Sequence, residues 1–295
     1  MKMKSKILFM LLAMILVFIS GCAEDKKQIV LNQSGNISSY EFEVFLNEWN
    51  NKVPANTTTY YLLKDKTTVQ VVNLEINCSK LMIYPPDSLG GGSAENPIQN
   101  FVLLAEPANE TLAEPANETT ALTRTLEELS HRNVTSDLNY TLTQEISQNM
   151  KVLNLTFEEP VTGFIAYTIE VPGTQNFVFM KPDSVFFRVI LPQGYVTGNR
   201  IFGIARPMPS NESFDEKERQ NLIWISSKMG ERDEAIQVKY FSQSAPLLFL
   251  AAIIALLIGV GLVLFYYSRS KKELESVKGI FELEREYERK QKRRK

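Results

Sequence analysis

Two cysteines, one histidine and two tryptophans are all that 295 residues hold of these types. Each scarcity closes off a class of chemistry. Cys22 and Cys78 lie in unlike surroundings and are not expected to pair. No disulfide framework then holds the fold, which must rest on burial of apolar surface. His131, the single histidine, sits in the polar stretch LSHRNVT, where nothing predicts a rigid pocket for a Ser-His-Asp triad. A histidine-rich metal site is excluded, and one buried cysteine cannot make a zinc cage. Gly90-Gly91-Gly92 is followed by no Gly-Lys-Ser/Thr and is not a phosphate loop. Basic charge is also short where a polyanion would need it. Residues 23–245 carry 18 Lys and Arg against 28 Asp and Glu, a net of −10, which argues against nucleic acid as a partner. Carboxylates are plentiful, but Glu158-Glu159 and Asp215-Glu216 stand at no spacing that fixes an acid/base pair or a Ca²⁺ site. They read as solvated surface. Trp49 and Trp224 could line a ligand groove, and core packing is the better reading for Trp224, in a strand. The sequence predicts no enzyme and no cofactor.

What the chain does have is one long apolar run. Pro246–Tyr267 (PLLFLAAIIALLIGVGLVLFYY) contains no charge. At about 1.5 Å per residue, roughly 20 such residues cross a hydrocarbon core of about 30 Å. Tyr266 and Tyr267 suit the lipid–water boundary. Arg269, Lys271 and Lys272 follow at once, and residues 268–295 carry 11 basic against 6 acidic side chains, a net of +5. Basic segments beside a span stay cytoplasmic, so the acidic domain is expected outside and the tail, 268–295, inside. The tail reads as a short helix with Leu274, Val277, Ile280 and Phe281 near one stripe, and Glu286–Lys290 and Glu288–Lys292 as i,i+4 pairs. Its final KQKRRK is expected to touch anionic lipid, the sharper alternative being a docking helix for a cytoplasmic partner.

At the other end, Lys2, Lys4 and Lys6 precede the apolar run Ile7–Ile19, the pattern of a signal peptide over residues 1–21. Ile19-Ser20-Gly21-Cys22 resembles the lipobox of prokaryotic lipoproteins, with Ile19 where Leu is commonest. That resemblance implies cleavage before Cys22 and lipid on its sulfur. The bland alternative is an ordinary signal peptide or uncleaved anchor with Cys22 incidental. Membrane lipid is thus an expected partner at both ends, and only the short connection Ser242–Ala245 separates the last expected strand from the span. With both anchors in place the outer domain would lie close on the bilayer.

Between the anchors the chain reads as mainly β. Tyr40, Phe42, Val44 and Leu46 alternate with polar residues. So do Val72, Leu74, Ile76 and Cys78, opposed to Asn73, Glu75, Asn77 and Ser79. That puts Cys78 on an apolar face as a buried, inert thiol. Leu104–Thr111 and Leu112–Thr119 each read LAEPANET, a direct repeat with too little apolar content for a core. Residues 105–148 are expected to be a low-complexity insertion, with a short helix around TRTLEEL. It separates an N-terminal β-rich region, 22–104, from a C-terminal one, 149–242. Strands are expected near 152–157, 165–171, 185–191, 200–205, 222–226 and 235–241, with a turn at Pro192-Gln193-Gly194. Ser210–Gln220 reads as a charged loop or brief helix. Short strands at this spacing predict an antiparallel β-sandwich-like ectodomain, in one lobe or two.

Asn-x-Ser/Thr occurs at Asn32, Asn36, Asn56, Asn77, Asn109, Asn117, Asn133, Asn139, Asn154 and Asn211, 10 of the 20 asparagines. Ser and Thr make up 34 of residues 23–245, so about three sequons would arise by chance. The excess predicts N-glycosylation of an outward surface at most of these positions.

Several features in order, Phe187-Arg188-Val189-Ile190-Leu191-Pro192-Gln193-Gly194, the Trp224 strand, Val238-Lys239-Tyr240-Phe241, the span, and Tyr266-Tyr267 with Arg269, resemble an uncharacterised family of archaeal membrane-anchored surface proteins. The likeness is clearest over residues 150–272, and the repeat looks like a departure from it. It implies a surface location and assigns no activity. The expected function is a non-catalytic, membrane-anchored surface glycoprotein and lipoprotein of the cell envelope, meeting another envelope protein or glycan. The alternative is an extracellular ligand-binding or transporter-accessory protein that docks through its tail. A carboxylate hydrolase ranks third.

Overall fold

The computed structural model describes residues 27–29, 35–48, 52–85, 98–108, 118–147, 150–230 and 235–293. Its strands run, in chain order, β1 Lys27–Ile29, β2 Leu46–Asn47, β3 Val53–Pro54, β4 Thr57–Leu62, β5 Thr68–Ile83 and β6 Gln99–Pro107. Helix α1, Glu118–Ser130, comes next. It is followed by β7 Tyr140–Ser147, β8 Met150–Glu170, β9 Asn176–Met180, β10 Phe186–Ile190, β11 Tyr195–Val196 and β12 Ala205–Arg206. The remaining elements are β13 Asn211–Phe214, β14 Gln220–Ile225, β15 Ala235–Lys239, β16 Phe241–Ser242 and helix α2, Ala245–Lys292. Contacts divide the chain into two units, Met1–Phe241 and Ser242–Lys295.

The first unit is built on a nine-stranded mixed sheet of order β1-β7-β8-β5-β4-β10-β14-β13, with β6 also pairing β8. All its described pairings are antiparallel except β4 with β10, which align in parallel from Thr57↔Phe186 to Tyr61↔Ile190. The 21 residues of β8 hold the arrangement together. Along one edge β8 follows β5 from Glu170↔Thr68 to Leu153↔Ile83. Along the other it pairs first with β7, up to Phe157↔Tyr140, and then with β6, from Val161↔Pro107 onward. Pro160 stands at this hand-off, where a missing N–H takes nothing from either ladder. Gly163 follows at φ +151°, and a Cβ there would lie 2.2 Å from the Leu104 carbonyl oxygen. Only glycine lets β6 approach this closely.

Both faces of the sheet are covered, so its central strands lose the alternation of a half-exposed sheet. On the first face, Val71, Leu155, Ile165, Phe187 and Trp224 share a core with Phe177, Phe179, Ile236 and Val238, which belong to a three-stranded sheet of order β12-β15-β9. Phe187 and Trp224 stack at 5.6 Å and 10°, worth about 0.5–1.5 kcal/mol beyond the area they bury. Core packing of Trp224 is as expected from its strand. On the second face, Val72, Leu74, Leu104 and Phe164 meet Leu126 and Leu129 of α1, while Phe42, Val44 and Phe45 pack from the segment before β2. Leu122, Leu126 and Leu129 recur at helical spacing and put one stripe of α1 on the sheet.

Several expectations are corrected here. Residues 105–148 are not poor in core, because Leu126, Leu129 and Leu142 are fully buried. The two expected strands at 152–157 and 165–171 are one continuous strand. Strands from before residue 104 and after residue 149 share one sheet, the one-lobe arrangement of the two that the sequence left open. Tyr40–Val44 does bury alternate side chains, yet it is extended chain without a ladder, and only Leu46–Asn47 pairs. Ser210–Gln220 forms the hairpin of β13 on β14. Cys78 does not share a face with Val72 and Leu74. Asn77 takes φ +54° within a register shift, which turns Cys78 onto the first core, half-buried. The side of the strand that carries Asn73 and Glu75, expected to be polar and outward, is buried on the first face. The turn at Pro192–Gly194 forms as read: Tyr195 N–H donates to the Pro192 carbonyl at 3.0 Å, and Gly194 takes φ +83°.

Helix α2 is 48 residues long, about 72 Å at 1.5 Å per residue. Among the described residues it is the one helix long and apolar enough to cross a membrane. Large apolar side chains along it are exposed, Leu247 at 71% and Phe265 at 70%. The helix continues through the basic segment, where Arg269–Glu273, Lys271–Glu275 and Lys278–Glu282 form i,i+4 pairs.

Candidate functional site

The segment Tyr40–Asn47 lies across the second face of the sheet as a strap. Tyr40 fastens one end, its hydroxyl donating to the Asn100 carbonyl at 2.6 Å and meeting Thr168 Oγ1 at 2.9 Å. Glu41 is next. It accepts from Arg219 Nη1 and Nη2 at 3.1 and 2.8 Å and from Lys217 Nζ at 2.8 Å, while Arg219 Nε donates to Asp215. Burial alone would raise the Glu41 carboxyl, but the hydrogen bonds from Arg219 and Lys217 outweigh it and hold the group below its ordinary value.

Beyond Glu41 a recess of about 470 Å³ lies between strap and sheet. Glu43, Phe45 and Glu48 wall it on the strap side, and Arg188, Asn211 and Ser213 on the sheet side. Arg188 is the unusual member, a cation 5% exposed on β10. Its Nε donates to Thr59 Oγ1 at 3.0 Å and its Nη1 to Glu43 at 3.2 Å, and the guanidinium lies 4.8 Å from the Phe45 ring centroid. Glu43 itself is 65% exposed. A buried guanidinium whose counter-ion faces solvent has further N–H donors to offer a ligand.

A second recess, about 370 Å³ and mostly apolar, lies between the β4–β5 turn and the β8–β9 connection. Leu62, Val69, Val171, Phe177 and Tyr240 line it, with Lys66 among them. Such a cavity falls in the size range of small-molecule sites.

The first core holds a third feature. Glu75 is 4% exposed. Burial, with the negative charge of Asp183 adding to it, pushes its carboxyl up to about 8, so it is mostly protonated at neutral pH. On the same strand Asn73 accepts from Thr58 Oγ1 at 2.9 Å, and Thr58 also meets Ser184 Oγ. Asn73 Nδ2 finds no acceptor among the described residues. Burial and the nearby Glu75 push the Cys78 thiol up to about 12, the mark of an unreactive cysteine. Among the described residues no group of three or more His, Cys, Asp or Glu could hold a metal.

The sequon asparagines are scattered over this framework. Asn36, Asn77, Asn133, Asn139 and Asn211 are exposed, and Asn56 is half-buried with its Oδ1 accepting from Ile76 N at 2.9 Å. Asn154 departs from expectation. It is 3% exposed, in the middle of β8 between Met82 and Thr143. Thr156 on the same side is exposed, but Asn154 itself is enclosed, so a folded chain has no room for a sugar there. Cys22, Asn32, Asn109, Asn117 and Trp49 lie outside the described residues. His131 stands exposed just after α1, and Glu158 and Glu159 are exposed on β8, as their surface reading required. Sequence reasoning passed over Arg188 as a site residue. The signal available was a lone charge inside the apolar run Phe186–Ile190.

One family model, described as a family of unknown function (DUF5803), matches residues 124–286. The match opens inside α1, just past the LAEPANET repeat, and closes within the tail helix. No curated protein and no solved structure matches the chain.

Proposed function

From the premise that the chain belongs to the DUF5803 family of unknown function, we propose that it is a non-catalytic surface protein of a cell envelope. It is held by a single transmembrane helix and coated with N-linked sugar, and its β unit binds or scaffolds other envelope components. The observation that carries this reading is the bare apolar stretch of α2. Leu247, Leu256, Leu264 and Phe265 are each more than 60% exposed, which suits hydrocarbon rather than water. The net +5 on residues 268–295 against −10 on residues 23–245 supports a cytoplasmic tail and an external β unit. The lipobox-like Ile19–Cys22 supports a second attachment by lipid, and the ten sequons support the sugar. Archaeal affinity rests on the likeness carried by Phe187–Gly194, the Trp224 strand, Val238–Phe241, the span and Tyr266-Tyr267 with Arg269.

The test is fractionation of Cys22→Ser. Lipid labelling is lost while the protein stays in carbonate-washed membranes. Release into the soluble fraction overturns the span. Protease added to intact cells removes the β unit and spares an epitope placed after Lys295, whereas loss of that epitope reverses the topology.

The apolar recess beneath Tyr240 favours a second reading, a ligand-binding or transporter-accessory protein that docks through its tail helix. Complexes that survive purification from the full chain and vanish on deletion of residues 274–295 mark this alternative.

A further inference from the structure

The recess beneath the strap and the sequon at Asn211 are one structure. Strand β13 is the sequon, reading Asn211-Glu212-Ser213-Phe214, and it forms an edge of the nine-stranded sheet. Asn211 pairs with Ile223, and Ile223 in turn with Arg188. Residues opposite one another across a ladder share a face. Asn211 and Ser213 therefore stand on the same face as Arg188, and both line the recess. The Asn211 amide is exposed, and it is its Oδ1 that accepts from Glu212 N at 2.9 Å.

We infer that the sugar carried by Asn211 folds back into this recess, so that the glycan closes the gap between strap and sheet. The inference rests on the glycosylation reading given above. Attachment forms a bond from Asn211 Nδ2 to the anomeric carbon of a lipid-phosphate-linked sugar donor. The nitrogen loses a proton and the lipid phosphate departs. The recess fits the product chemically. A pyranose presents hydroxyls around its rim and C–H groups on its faces. Glu43 and Glu48 offer carboxylate acceptors to the hydroxyls, the Arg188 guanidinium offers donors, and the half-buried Phe45 supplies an apolar wall. Glu43, exposed, has carboxylate lone pairs beyond its contact to Arg188 and can accept from a hydroxyl while keeping that contact. The covalent tether makes docking intramolecular, so weak contacts suffice. The other exposed sequons are used differently. Asn36 caps a short helical turn through Oδ1, and Asn139 Nδ2 donates to Glu158 at 3.1 Å.

The experiment is mild periodate oxidation of the intact, detergent-solubilised glycoprotein, read by glycopeptide mass spectrometry. Sugar on Asn211 is expected to oxidise about tenfold more slowly than sugar on occupied Asn77, Asn133 or Asn139, the factor that roughly 1.4 kcal/mol of docking gives. Protection disappears when the protein is unfolded before oxidation, and it weakens in Glu48→Gln, a substitution at an exposed residue of the recess just past the strap. Equal oxidation at Asn211 and the other positions overturns docking. Sugar at other sequons with none on Asn211 overturns this inference alone. A chain without sugar at any sequon overturns the glycosylation reading beneath it.

Discussion

Glu75 and Glu41 are two carboxyls that the same fold drives in opposite directions. Burial raises Glu75 from an ordinary 4.5 to about 8. Between those values the folded chain keeps a proton that the unfolded chain has lost. Its stability therefore falls as pH rises from about 4.5 to about 8, by at most about 1.4 kcal/mol per pH unit. Glu41, held low by Arg219 and Lys217 against the pull of burial, contributes stability above its unfolded value that is lost as pH falls through its folded one. Together these two carboxyls shift the stability maximum to the acid side of neutral. Glu75→Gln is expected to raise stability at pH 8 by roughly 2–4 kcal/mol and to flatten the decline between pH 5 and 8. Urea unfolding at a series of pH values checks this, and an unchanged slope rejects it. At Asn154 the burial observed leads to a plain expectation: glycopeptide analysis finds that asparagine unmodified in folded protein, and finding it modified contradicts the position of β8.

At the scale of elements, the strands that alternate were the ones legible in the sequence, and those buried on both faces were not. Ala235–Tyr240 shows its inward side chains in the pattern and the structure keeps them, whereas in the 185–191 run Val185 is exposed and Phe186–Ile190 is buried on both faces, so the alternation read there fails. Thr57–Leu62 lies at the centre of the sheet, yet its three threonines and two tyrosines carry no alternation, because α1, the strap and the three-stranded sheet cover both faces between them. Cys78 was placed on the wrong face because alternation holds only until a residue such as Asn77 leaves the extended region. The recess was invisible for a similar reason: Glu43, Arg188 and Asn211 come together through ladder register, which spacing along the chain does not encode. The hand-off within β8 gives the sharpest test at this scale. Gly163→Ala puts a methyl carbon into the Leu104 carbonyl and is expected to cost roughly 3 kcal/mol or more. Leu129→Ala, which empties the contact of α1 with the sheet, is expected to cost roughly 2–5 kcal/mol. Thermal unfolding followed by circular dichroism measures both, and a change below about 1 kcal/mol at either position rejects the packing described.

For the whole molecule, the division after Phe241 means that the β unit carries its own core. A fragment of residues 23–242 is expected to be soluble without detergent and to unfold cooperatively, while the full chain needs detergent. Aggregation of the fragment would show that the β unit depends on α2. The sequence told where the large unit ends, since a charge-free run of such length has few other uses. It also told that the unit is β-rich. It left open whether residues on either side of the repeat fold together, because the pairing of β5 with β8 joins segments that no local pattern connects.

The parallel pairing of β4 with β10 also sets a timetable. Thr57–Tyr61 lies beside Phe186–Ile190, so the middle of the sheet cannot close until some 125 further residues have been made. At about 5–20 residues per second that is roughly 6–25 s of synthesis. Throughout that interval one edge of β4 has no neighbour, and Asn56, just ahead of it, is still within reach of whatever enzyme or chaperone meets the emerging chain.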